Sequence, residues 1–118
     1  MLRLPSAVRV FICTLPTDMR RGFDALAAMV KQHFAQDPLC GHLFVFRSRS
    51  ADRMKILSWD RDGFALWYKR LEKGTFRLPP AVEGAAGIEV TSADLLLLLE
   101  GVELSSVRRR PRFAPQKI

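Results

Sequence analysis

Arginine is the side chain best matched to phosphate, because its planar guanidinium donates two parallel hydrogen bonds. Arg47, Arg49 and Arg53 are packed into the polar stretch Arg47-Ser48-Arg49-Ser50-Ala51-Asp52-Arg53, between two β-rich runs, with Lys55 just beyond. At a hairpin tip these cations converge, and the serines add neutral hydrogen bonds to the same anion. Arg20 and Arg21 stand immediately before the first expected helix, where free backbone N–H groups also favour phosphate. Lys69, Arg70 and Lys73 form a third group, and Arg108, Arg109 and Arg110 lead a basic tail. Each group alone also reads as ordinary solvated surface. The tip, the 69–73 group and the tail together on one small chain make nucleic acid the leading ligand class.

Catalytic chemistry is harder to assemble. The nucleophile-elbow, P-loop and dinucleotide fingerprints are missing from the sequence. His33 and His42 read as packed or rim histidines. Cys13 and Cys40 form no C-x-x-C pair and read as reduced thiols. Asp60 and Asp62 flank a turn after Trp59 and would suit a two-metal nuclease if a third carboxylate joined them. Turn aspartates are commoner, because Asp bonds its own backbone there. Neither an enzyme nor a cofactor is expected.

The 118 residues are 48% hydrophobic and 26% charged, with a net charge of +7, which suits one globular domain. The charge is segmented. Residues 42–77 carry nine Lys and Arg against four acids, residues 78–106 carry five acids and no base, and residues 107–118 carry five bases and no acid. Apolar runs such as Leu95 to Leu99 fall far short of the ~20 residues a membrane helix needs. The N-terminus, interrupted by Pro5, Arg9 and Pro16, reads as a first strand and not a leader. A cytoplasmic protein is expected.

The elements that must position these residues follow from periodicity. Val8 to Leu15 reads as a strand. Phe23, Leu26, Ala27, Val30 and Phe34 share one helical face, predicting a helix over 22–35. The runs 42–47 and 54–59 read as an antiparallel hairpin. Over 63–74 a strand would have two mixed faces, whereas a helix gathers Phe64, Trp67, Tyr68 and Leu71 opposite Lys69, Arg70 and Lys73, with Gly74 as a left-handed cap. The helix is therefore expected there. A short strand at 75–78 and a brief one at 88–90 follow. Thr91 and Asp94 make a capping box before Leu95, Leu96, Leu97, Leu98 and Leu99, and Gly101 ends that helix. Five successive leucines wrap a whole helix, which implies either a central helix or a protein-contact face. The expected fold is a single α+β domain over 1–106, order β-α-β-β-α-β-(β)-α. It has a mainly antiparallel sheet, about three helices and a disordered basic tail at 107–118.

Several of these segments resemble one family. Pro16 to Asp24 reads P-T-D-M-R-R-G-F-D, residues 41–46 read G-H-L-F-V-F, residues 52–60 read D-R-M-K-I-L-S-W-D, and residues 66–74 read L-W-Y-K-R-L-E-K-G. With Arg49, Phe76 and Leu98-Leu99-Glu100-Gly101-Val102, these are similar to the TnpB accessory proteins of bacterial insertion sequences of the sixty-six type. These are also called second open reading frame products, and they are distinct from the longer RNA-guided nuclease of the same name. The likeness spans about residues 5 to 103 and leaves the tail outside. It implies a part in transposition of a mobile element that also encodes a large transposase and another small accessory protein. It implies no active-site residues.

Two functional expectations lead. One is an accessory factor that binds nucleic acid, preferentially DNA, through Arg20, Arg21, Arg47, Arg49, Arg53, Lys55, Lys69, Arg70, Lys73 and the tail. The other is an adaptor that docks on the transposase through Leu95 to Leu99. A metal nuclease using Asp60 and Asp62 is a distant third.

Overall fold

The computed structural model describes residues 7–79, 85 and 87–100. Its elements are β1 (Val10–Cys13), α1 (Phe23–Phe34), β2 (Leu43–Arg47), β3 (Arg53–Asp60), β4 (Gly63–Arg70), β5 (Gly87–Val90) and α2 (Ser92–Leu99). The strands form one sheet in the order β4-β3-β2-β1-β5. β1 and β2 run parallel, joined across α1, and every other pairing is antiparallel.

β1 is the inner run Val10-Phe11-Ile12-Cys13, buried along its whole length. Alternation then divides the sheet into two cores. Val10, Ile12, Leu43, Val45, Met54, Ile56 and Val90 face one side, where Phe76, Leu95 and Leu98 cover them. Phe11, Cys13, Phe44, Phe46 and Leu57 face the other, under Leu26, Met29 and Val30 of α1. The spacing of those three α1 residues is the i, i+3, i+4 stripe of a surface helix. Phe34, at the end of α1, packs its ring 6.0 Å from Phe11, 5.6 Å from Phe44 and 6.4 Å from Phe46. Phe23, expected on the same buried face, is instead 47% exposed, and Met29 is buried in the core.

α1 and the 43–60 hairpin match the periodicity. The Thr91–Asp94 capping box is present, with the Asp94 N–H donating to Thr91 Oγ1 at 3.0 Å. Residues 63–74 do not form a helix. Asp62-Gly63 closes a tight hairpin with Arg61 at φ 58°, and β4 pairs with β3 from Asp60↔Gly63 to Arg53↔Arg70. Its mixed faces have a simple cause. β4 is an edge strand of a sheet covered on both sides, so Leu66 packs on the α1 core and Trp67 on the other. There are thus two helices among the described residues, in the order β-α-β-β-β-β-α. Gly74 does have positive φ, 78°, but in a turn after a strand. Residues 75–78 form no strand: the Phe76 N–H goes to the Ala51 carbonyl and the ring is buried. The strand expected at 88–90 is β5. Gly101 and the tail at 107–118 lie outside the described residues.

Gly87 sits where β5 passes under Phe34. A Cβ there would collide with the Phe34 ring and lie 3.2 Å from the Ile12 carbonyl oxygen. Three neighbouring phenylalanines restrain that ring, so Gly87→Ala is expected to destabilise by roughly 1–3 kcal/mol, as overpacked cores do. A lowered denaturation midpoint at unchanged m-value checks this. Cys13 is fully buried and Cys40 is exposed. Burial pushes the Cys13 thiol up, which disfavours the reactive thiolate. A disulfide-exchange reagent at mildly alkaline pH should therefore modify Cys40 in the native protein and Cys13 only after unfolding.

Candidate functional site

Three connecting segments meet at the end of the sheet where β1, β2 and β4 finish and β3 begins. The first is the 14–22 loop. Its Thr17 N–H donates to the Arg47 carbonyl at 2.9 Å, extending the line of β2, and its Arg21 N–H closes a turn on the Asp18 carbonyl at 3.1 Å. Asp18 Oδ1 accepts the Arg20 N–H at 2.9 Å, while the Arg20 guanidinium reaches Asp18 Oδ2 at 2.7 Å. Hydrogen bonding from that guanidinium, and then from the Arg20 N–H, holds the Asp18 carboxyl well below the usual carboxylate range. This pair is solvated, so it shapes the turn more than it stabilises the fold.

The loop is fastened from beneath. Lys55 is buried on β3, and its Nζ donates to the Met19 carbonyl at 2.7 Å and the Arg21 carbonyl at 2.8 Å. The same ammonium lies 4.8 Å from the ring centroid of Tyr68, its partner on β4.

The second segment is the β2–β3 tip. The Ser48 N–H donates to the Arg53 carbonyl at 2.9 Å, and the Arg53 N–H to Ser48 Oγ at 3.1 Å. Ala51 turns the chain at φ 66°. The Ser50 hydroxyl donates to Asp52 Oδ1 and is the main cause of that carboxyl lying below its ordinary range. The third segment follows β4. Leu71 N–H donates to the Asp52 carbonyl at 2.7 Å, and Arg47 donates from Nη1 to the Phe76 carbonyl at 2.7 Å. Burial lowers the Arg47 pKa. Arg47 and Lys55 are therefore internal fasteners on opposite faces of the sheet.

Between the first two segments lies a cleft of about 550 Å³, lined by residues of the 17–20 loop, by Ser48, Arg49, Ser50 and Arg53, and by Tyr68. It brings together Arg20, Arg49 and Arg53 from the expected set. Arg49 and Arg53 form no salt bridge among the described residues. Arg70 stands opposite Arg53 on the same face and pairs with Glu72 at 3.0 Å. Lys69 lies on the other face, opposite Met54, so a strand separates the two cations that a helix would have joined. Arg21 and Lys73 are exposed. Arg108, Arg109 and Arg110 lie outside the described residues.

The cleft also contains residues not expected there. A helix over 63–74 would place Tyr68 in the core, while Thr17 and Met19 stand on the 14–22 loop and reach the cleft only through its tertiary placement. The Asp62-Gly63 dipeptide between two β-rich runs was the signal for the hairpin that exposes Tyr68. The leucines of α2 are mainly core: Leu95 and Leu98 are fully buried, and Leu96, at 42%, is the exposed one. Asp60 and Asp62 sit at the opposite end of β3 and β4 from the cleft. Among the described residues, no three His, Cys, Asp or Glu side chains cluster to hold a metal ion. His42 accepts the Arg9 N–H on Nδ1 at 3.1 Å and packs edge-on to Phe11. No helix among the described residues is long and apolar enough to cross a membrane.

The fold and cleft define a small α+β protein with a basic groove at one sheet end. Residues 8–109 match the family model described as "IS66 Orf2 like protein", and the chain belongs to that family, which implies an accessory role associated with transposition. It is 37% identical over 111 residues to "Uncharacterized protein y4jC" of Sinorhizobium fredii (strain NBRC 101917 / NGR234), covering 94% of this chain and 93% of that protein. It is 45% identical over 102 residues to "Uncharacterized protein y4hO" of the same strain, covering 85% and 87%. No solved structure gives a significant match.

Lys55→Met removes both loop fastenings while keeping the length of the side chain. Loss of stability by at least about 1.5–3 kcal/mol is expected, the range for one hydrogen bond to a charged group. Hydrogen exchange should accelerate in residues 17–22 more than in α2, and equal acceleration in both would deny the loop its dependence on Lys55.

Proposed function

We propose that this protein is a non-catalytic accessory factor of insertion-sequence transposition that binds nucleic acid, DNA in preference, through the cleft face. The observation that carries the reading is the convergence of Arg20, Arg49 and Arg53 on one groove whose walls are bonded in place. Arg21 and Arg70 extend the same basic end of the sheet, Lys73 adds charge beside it, and the basic tail contributes sequence-independent attraction. Lys55 and Arg47 support the groove without meeting phosphate. The transposase of the element is the proposed protein partner in the same complex. Since α2 commits Leu95 and Leu98 to the core, docking through all five leucines is the weaker reading.

Salt titration of binding to DNA from the element ends tests this. Log affinity should fall linearly with log salt. Replacing Arg49 and Arg53 together by Ala should weaken binding across sequences and reduce the slope by about 1 per lost phosphate contact. No detectable affinity at low salt for either duplex or single-stranded DNA would overturn the proposal.

A further inference from the structure

We infer that the cleft receives an unpaired nucleotide of a single strand, with its base against Tyr68 and its flanking phosphates on Arg49 and Arg53. This rests on the nucleic-acid reading above and narrows it. A binder of duplex backbone needs only cations. Here the cations rim a shallow, widely open recess of about 550 Å³ whose lining is mostly apolar. Among the lining residues are Tyr68 and Met19, which offer a base an aromatic plane and a thioether.

Tyr68 is suited to act as the platform. The residue is 49% exposed on an edge strand, and its ring is restrained by the Lys55 ammonium 4.8 Å from its centroid. That ammonium is itself bonded to the Met19 and Arg21 carbonyls, so ring and loop are set in one arrangement before a ligand arrives. A restrained aromatic loses little freedom on stacking. Around it, Arg53 stands opposite Arg70 on adjacent strands; Arg70 is paired with Glu72, whereas Arg49 and Arg53 form no salt bridge among the described residues. Asp18 is the one acid in the lining and is already engaged by Arg20. An aromatic plane flanked by guanidinium groups is the arrangement that single-strand binders use, and it tolerates any base because every base has a π-face.

Tyr68 is the only tyrosine in the sequence, so its ring resonances are unambiguous. The test adds an oligothymidylate of about ten nucleotides, or a blunt duplex of equal length, to the full chain. Expected are upfield shifts of the Tyr68 ring protons with the single strand and none with the duplex. Tyr68→Ala should weaken single-strand binding by about five- to 150-fold, the equivalent of one lost stack, while Tyr68→Phe retains it. Duplex affinity should be unchanged in both variants. Tyr68→Ala removes the ring beside the Lys55 ammonium and should melt somewhat lower, so its retained duplex affinity is what separates stacking from misfolding, while Tyr68→Phe should melt as the parent does. If the chain binds DNA but prefers duplex, or if Tyr68→Ala binds the single strand as the parent does, the inference fails and the broader reading survives. If neither form binds, the broader reading fails. An oligouridylate with the same ring shift supports the inference, because stacking and phosphate contact are common to both strand types.

Discussion

Burying an amino group costs several kcal/mol unless its donors find partners. Lys55 meets that cost on the α1 face of the sheet with two carbonyls of the 14–22 loop and the ring of Tyr68. The consequences spread outward from that atom. The loop can turn tightly over β3 because its carbonyls are satisfied from below. The Asp18–Arg20 turn is therefore presented at a fixed height above the sheet. Tyr68 is kept on the cleft side of an edge strand instead of swinging to solvent. Without the fastening, the wall opposite the 48–53 tip would be held to the sheet chiefly by the Thr17 N–H bond to the Arg47 carbonyl.

The same economy appears on the other face. Arg47 leaves β2 toward the second core and donates to the Phe76 carbonyl, drawing an irregular segment over Val45, Met54 and Ile56. Phe76 then takes the place that a third helix would have filled. Two basic residues thus organise connections that have no regular hydrogen bonding of their own, one on each side of the sheet. This accounts for a cationic middle segment in which only some of the cations face solvent.

Legibility in the sequence followed local pattern. α1, the β2–β3 hairpin and the α2 cap were readable, because periodicity and capping depend on neighbours in the chain. β4 was not, because its residues are apportioned between two cores and the strand lies at an edge. A period-2 pattern needs one face wet, and this strand has both partly covered. The Phe76 segment was misread for a related reason: its partners, Ala51 and Arg47, are tertiary. Of the cleft, the guanidinium groups at 20, 49 and 53 could be named from residue type. That Lys55 and Arg47 turn inward could not, since a buried and a solvated cation look alike in a sequence. Tyr68 was hidden by the helix reading alone, and the Asp62-Gly63 turn would have released it.

The position of β1 has a consequence for how the chain is made. This strand occupies an inner place in the sheet, yet one of its neighbours is supplied by residues 87–90. Until those residues emerge from the ribosome, β1 presents an open row of amides and carbonyls, backed by one of the most apolar surfaces in the molecule. The nascent protein therefore cannot close its sheet until most of its residues have been synthesised, and premature termination leaves a sticky template instead of a smaller folded unit.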